Sequence, residues 1–229
     1  LADIGVRLGV LEDAEFLLHY SLPIFKIASI DLHYHHLFKQ LIPFKKPFLI
    51  STGMAFLSEI EETIRMLEYE GCDEAILLHC VSCYPPSPED TNLRNITTFQ
   101  NAFDLPVGYS DHSSENISAI AAVTLGATVI EKHITMDKNA LGPDHPFALE
   151  PKEMMQLTKA VRVVEASLGK TKRILSKSEL ESRKMIRRSI VTKVPINKGE
   201  TITIEKIKFA RPGTGISTNE FKYIVGRKV

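Results

Sequence analysis

The chain has 229 residues, enough to bury one full core and carry a small second module. Its 28 Lys and Arg equal its 28 Asp and Glu, so no net field directs it to nucleic acid or an anionic membrane, and a bound anion must be captured locally. The longest apolar stretch, near Ile117 to Ile130, is broken by Ser, Thr and Gly and is shorter than the ~20 residues of a membrane span; Cys72, Cys80 and Cys83 suit a reducing cytosol better than a disulfide framework. With no basic-then-apolar leader after Leu1, the expected location is cytoplasmic, with a start that is either processed or preceded by further sequence.

In chain order, residues 10–20 read as the helix of a unit whose strand is absent. Five β-branched or apolar runs follow: PIFKIAS (23–29), PFLIS (47–51), AILLH (75–79), LPVGYS (105–110) and TVIEKH (128–133). Each is apolar nearly throughout, as expected for strands buried on both faces of a parallel sheet. They recur at about one strand-helix unit. Between them, Ser58 and Glu61 have the spacing of a capping box, with Ile60, Ile64 and Leu67 as an apolar stripe that Gly71 ends. Asn116 is the expected cap of a helix running to Gly126, and Pro151 the first residue of a helix ended by Gly169.

After about residue 170 the pattern changes. A charged helix, Ser176 to Arg188, leads into short β-like pieces rich in turn residues, including Asn197-Lys198-Gly199 and Pro212-Gly213. The expected organisation is an α/β unit at 1–172, a linker helix at 173–187 and a β-rich module at 188–229 whose last residues, GRKV, stop before a closing strand. Five strands cannot close an eight-stranded barrel, which leaves an open sheet or an incomplete barrel.

Functional groups of parallel α/β folds collect where the strands end. Here those positions offer Lys26, Ser29 and Asp31, then Ser51-Thr52-Gly53, Ser82 and Tyr84, Ser110-Asp111-His112, and Glu131 with His133. There is no glycine-rich dinucleotide fingerprint, so the set suits a small phosphorylated or carboxylated substrate. His112 and His133 either bind a divalent transition metal or hydrogen-bond a loop. Lys26 allows phosphate binding, a Schiff base or an ordinary strand-end lysine. His33 and His36 are read as a solvated helix surface, and the single Cys80-x-x-Cys83 pair does not make a zinc site. Asp144 and His145, in the turn LGPDHP (141–146), either reach a polyol or belong to an ordinary Asp turn.

Taken together, FKIASID (25–31), LISTGM (49–54), LLHCVSCYPPSPEDTNL (77–93), LPVGYSDHS (105–113), LGATVIEKHITMDKNALGPDHPFALEP (125–151) and RPGTGIS (211–217) resemble the sialic acid synthase (NeuB) family over nearly the whole chain. The resemblance implies a (β/α)8 TIM barrel, of which about the last five strand-helix units are present, followed by a small antifreeze-like SAF domain of β-clip type in a domain-swapped homodimer. It puts Lys26, Ser29, Ser51, Ser82 and Ser110 on phosphoenolpyruvate, and His112 and His133 on a divalent metal, usually Mn2+, with Mg2+ or Co2+ as alternatives. Asp31, Tyr84 and Asp144 fall on the amino sugar, with Asp31 also handling protons, and Arg211 reaches the partner's site. Ser82 stands where many relatives have Asn, and Asp31 where many have Glu.

The implied reaction joins C3 of phosphoenolpyruvate to the aldehyde carbon of open-chain N-acetylmannosamine, adds water at C2 and releases phosphate by C–O cleavage. A diacetamido-trideoxyhexose giving legionaminic or pseudaminic acid is the nearest alternative. A non-catalytic sugar-binding fragment is the alternative of a different class.

Overall fold

A computed structural model describes residues 23–229, which fall into two compact units meeting at Gly169 and Lys170. The expected helix at 10–20 lies outside the described residues. In the first unit, β1 (Phe25–Ile27), β2 (Phe48–Ser51), β3 (Ala75–Cys80), β4 (Val107–Asp111) and β5 (Ile130–Lys132) form one parallel sheet in sequential order. The helices α1 (His35–Leu41), α2 (Leu57–Tyr69), α3 (Asn95–Phe103), α4 (Ile117–Thr124) and α5 (Pro151–Leu168) alternate with or follow the strands. This is five-eighths of a β/α barrel, as the family resemblance implies.

The two sheet faces differ in chemistry, which continuous apolar runs did not predict. Phe25 and Ile27, Phe48 and Ile50, Ala75 and Leu77, and Val107 and Tyr109 enter one core with Leu37, Phe38 and Leu41 of α1, Ile60, Ile64 and Leu67 of α2, and Ile96 and Phe99 of α3. Complete burial of such a side chain contributes about 1.5–3 kcal/mol. Because side chains alternate along a strand, the intervening residues meet on the opposite face. There Lys26, Ser51, Ser110 and Glu131 bond one another. The alternation is hidden in sequence because Leu49, Ile76 and Leu78 also occupy that second parity.

The caps correct two expectations. Helix α2 begins at Leu57, and Glu59, not Glu61, closes its first turn by accepting from the Phe56 N–H at 2.6 Å; Phe56 itself offers no oxygen to complete a box. Glu61 instead pairs with Arg65 at 2.6 Å one turn on. Asn116 does precede α4, yet its side chain makes no cap bond, and its Oδ1 is buried without a partner among the described residues. Gly71 ends α2 at φ +74° as expected, with Gly71 N donating to Glu68 O and Cys72 N to Leu67 O. Pro151 opens α5, held by Glu153 accepting from Glu150 N.

In the second unit, α6 (Lys177–Ile186) carries a full capping box: Glu179 N donates to Ser176 Oγ, and Ser176 N donates to Glu179. The Arg173 guanidinium beside Glu179, with help from the Ser176 N–H, pulls that carboxyl down to about 2. Antiparallel β6 (Ser189–Thr192), β7 (Ile207–Ala210) and β8 (Ile216–Ser217) form a sheet with β6 central, and α7 (Phe221–Ile224) follows. The final residues pair locally: Thr201 bridges Lys228, and Val229 N donates to Glu200 O. The whole-chain charge balance hides an asymmetry as well. Residues 170–229 hold 16 Lys and Arg against five Asp and Glu; residues 1–169 hold 12 against 23. Among the described residues no helix is long and apolar enough to cross a membrane.

Candidate active site

Lys26 is the buried cation of the polar sheet face. Its Nζ donates to Ser51 Oγ at 2.7 Å and to Ile27 O at 2.9 Å, and lies 3.7 Å from Glu131 Oε2. Ser110 Oγ donates to Glu131 Oε1 at 2.6 Å, so one carboxylate holds both the lysine and a strand-end hydroxyl. Ser29 Oγ accepts from Gly53 N at 3.0 Å and touches Cys80 Sγ at 3.2 Å. A Cβ on Gly53 would stand 2.3 Å from Ser82 Oγ and 2.9 Å from Ser29 Oγ. Only glycine lets these two hydroxyls converge beside the end of β2.

The two histidines face each other, their ring centroids 5.3 Å apart. His112 Nδ1 donates to Val81 O at 3.1 Å, and His133 Nδ1 lies 3.6 Å from Asp144 Oδ2. The Val81 carbonyl holds the His112 proton on Nδ1 and leaves its Nε2 as the lone-pair nitrogen, the tautomer a metal ligand requires. Burial pushes the His112 imidazole below its ordinary range, reinforced by the neighbouring His133 and opposed by the Val81 carbonyl, Glu131 and Asp111. His112 is therefore kept neutral. Among the described residues no cluster of three or more His, Cys, Asp or Glu side chains forms a metal cage. The donor set fits a divalent transition metal held by two imidazoles, with its other positions left to substrate and water.

Tyr84 lies over His112 with centroids 4.2 Å apart, and Phe147 packs 5.1 Å from His133 and 6.0 Å from Tyr84. These rings wall the imidazole pair. Asp31 sits in the turn after β1, its Oδ2 buried with no hydrogen-bond partner among the described residues, an acceptor in want of a donor. Arg211 is exposed in the second unit, in the segment that follows β7. His33 lies outside α1 and pairs with Glu59 at 3.3 Å, while His36 is exposed on the helix. Cys80 is buried and Cys83 exposed, both free. His145 bonds Thr135 Oγ1 at 2.7 Å, across the loop between β5 and α5.

The strand-end set includes Glu131 without a role, and omits Phe147. Glu131 shares the parity of His133 two residues on, which was the available signal for its place at the site. Nothing in the spacing marked Phe147.

A β/α sheet with its polar groups at the strand ends defines an α/β-barrel enzyme architecture, and the small antiparallel sheet adds a separate module. The chain belongs to the NeuB family: residues 10–173 match that family's model, and residues 187–229 match the SAF domain. It is similar to N,N'-diacetyllegionaminic acid synthase of Campylobacter jejuni, 38% identical over 219 residues that cover 95% of this chain and 66% of that protein. It is also similar to mouse N-acetylneuraminate-9-phosphate synthase, 35% identical over 221 residues, 94% of this chain and 60% of that protein. The crystal structure of the Bacillus subtilis spore coat polysaccharide biosynthesis protein SpsE superposes with a TM-score of 0.68 at 34% identity, over 97% of this chain and 67% of that one. The chain thus spans less than two thirds of the length of these two synthases.

Proposed function

We propose that the protein condenses phosphoenolpyruvate with an N-acetylated hexose, N-acetylmannosamine in the first instance, to give a nonulosonic acid and phosphate. The observation that carries this reading is the convergence of Lys26, Ser51, Ser110 and two facing histidines at one face of the sheet. A buried lysine beside neutral hydroxyl donors holds phosphate and carboxylate oxygens without a strong general field. Ser29 and Ser82 add donors at Gly53. Glu131 keeps Lys26 and Ser110 in place and screens the lysine until substrate arrives.

His112 and His133 would hold the divalent metal, manganese by family resemblance, which when bound polarises a carbonyl oxygen as a Lewis acid. In the reaction a C–C bond forms between C3 of phosphoenolpyruvate and the sugar aldehyde carbon, whose oxygen takes a proton. Water then adds at C2, and phosphate departs with the bridging oxygen. Asp31, with its unpartnered buried oxygen, handles the proton at the sugar. Tyr84 and Phe147 exclude water beside the imidazoles, and Tyr84 and Asp144 orient the sugar. In a domain-swapped homodimer, Arg211 serves the partner's site. This chemistry suits the cytoplasm.

The 38% identity to a legionaminic acid synthase favours a second sugar, a diacetamido-trideoxyhexose. Turnover of phosphoenolpyruvate and Mn2+ with 6-hydroxy and 6-deoxy hexosamines in parallel separates the two. Sugar binding without phosphate release from either would replace the synthase reading with a sugar-binding protein.

A further inference from the structure

Strands β4 and β5 pair Tyr109 with Ile130, Ser110 with Glu131 and Asp111 with Lys132, and run directly into His112 and His133. Ser110 and Glu131 lie on the polar face and, with the two histidines, belong to the proposed site. The Asp111–Lys132 pair points the other way and has no part in that chemistry, yet it is almost wholly buried, with side-chain exposure of 0% for Asp111 and 2% for Lys132.

Both charges are satisfied locally. Lys132 Nζ donates to Asp111 Oδ2 at 2.8 Å, to Ser113 O and to Glu115 O at 3.2 Å. Asp111 Oδ1 accepts from Ser113 N at 2.9 Å and from the Tyr109 hydroxyl at 3.3 Å. The lysine of β5 thereby ties down the backbone that carries His112 out of β4. A buried ion pair gives little net stability over an apolar pair of similar volume, but separating its partners is costly. That asymmetry penalises misregistration. Strand β5 has only three residues, of which the one apolar residue, Ile130, is half-buried, so apolar burial specifies its register weakly. A slip by one residue would carry Glu131 and His133 to the helix side, and would also strand two buried charges.

We infer that Asp111 and Lys132 are positioning residues that lock the register of β5 on β4 and so set Glu131 and His133 opposite Ser110 and His112. The inference rests on the proposed site only for its metal readout; the ring-to-ring readout stands without it.

The test uses the whole chain with Asp111→Leu/Lys132→Met, an apolar pair of similar volume, beside Lys132→Arg. Mn2+ affinity is measured by calorimetry and the His112–His133 ring contact by NMR cross-relaxation without metal. The double variant is expected to fold, lose the inter-ring cross-peaks and bind Mn2+ 10–100-fold more weakly, the scale seen when supports of metal ligands are removed. Lys132→Arg keeps both within a few-fold of the parent. A folded double variant that retains the cross-peaks overturns the inference. If it does not fold, the charge-reversed Asp111→Lys/Lys132→Asp chain decides: retained cross-peaks support the lock, and their loss in a folded chain, or failure of this chain to fold too, overturns it. A parent chain that binds no Mn2+ but shows the cross-peaks would refute the metal reading alone.

Discussion

Ser110 and Glu131 are joined across neighbouring strands by a 2.6 Å hydrogen bond, and the same carboxylate stands 3.7 Å from the buried Lys26 ammonium. One carboxylate therefore neutralises the lysine and holds the hydroxyl in place. Lys26→Met is expected to weaken phosphoenolpyruvate binding about 10–100-fold, as loss of a charge-assisted bond worth roughly 1.5–3 kcal/mol requires. Lys26→Arg should not restore it, because a planar fork cannot reach Ser51 Oγ and Glu131 from the same place. Calorimetric titration with phosphoenolpyruvate checks both.

Gly53→Ala tests the convergence of Ser29 and Ser82. A Cβ at 2.3 Å from one hydroxyl and 2.9 Å from the other forces both outward. The expected result is a stability loss of about 1–3 kcal/mol and a larger relative loss of phosphoenolpyruvate affinity. Thermal melts paired with calorimetry separate the two, and unchanged affinity would place these hydroxyls outside the binding surface.

His79 gives the fold a pH dependence. It is buried on the helix side, with Nε2 donating to Thr91 O at 2.8 Å and its ring stacked on Tyr109. Burial holds its folded-state pKa below the ordinary 6.5, against the opposing Thr91 carbonyl. The unfolded chain thus takes up this proton at a higher pH than the folded one. Stability is full above about 6.5 and declines as pH falls through that value towards the depressed folded pKa. Melting temperatures from pH 8 to 5 should fall below 6.5, and His79→Gln should flatten that slope while lowering the plateau.

The opposed charges of residues 1–169 and 170–229 predict behaviour a neutral molecule would not show. At pH 7 and low salt the protein should be retained on both cation and anion exchangers and be released from both as ionic strength rises. Flow through both would mean the two charge sets are mutually neutralised in solution.

Much of this was readable in the residues. The five strands, Gly71, Pro151 and the polar strand ends were legible because turn chemistry and strand-helix spacing are local. The β-rich tail was legible for the same reason. The parity of the strands was not, because Leu49, Ile76 and Leu78 mask the alternation that puts Lys26, Ser51 and Glu131 on one face. Glu131 was named at its strand end without a role, because a carboxylate beside an expected anion site contradicts a count of charges until its partner Lys26 is seen. The Ser58–Glu61 spacing pointed to the wrong carboxylate, because the strand-to-helix turn that places Phe56 N beside Glu59 is not legible in spacing alone. The neutral total concealed the charged halves.

The central claim is most directly tested by 31P NMR of phosphoenolpyruvate labelled with 18O at the bridging position, incubated with the protein, Mn2+ and N-acetylmannosamine or its diacetamido-trideoxy counterpart. The account predicts one phosphate per sugar acid formed, with the 18O-induced shift carried by the phosphate. Phosphate formed without sugar consumption, label left in the organic product, or phosphoenolpyruvate unchanged with both sugars would contradict it.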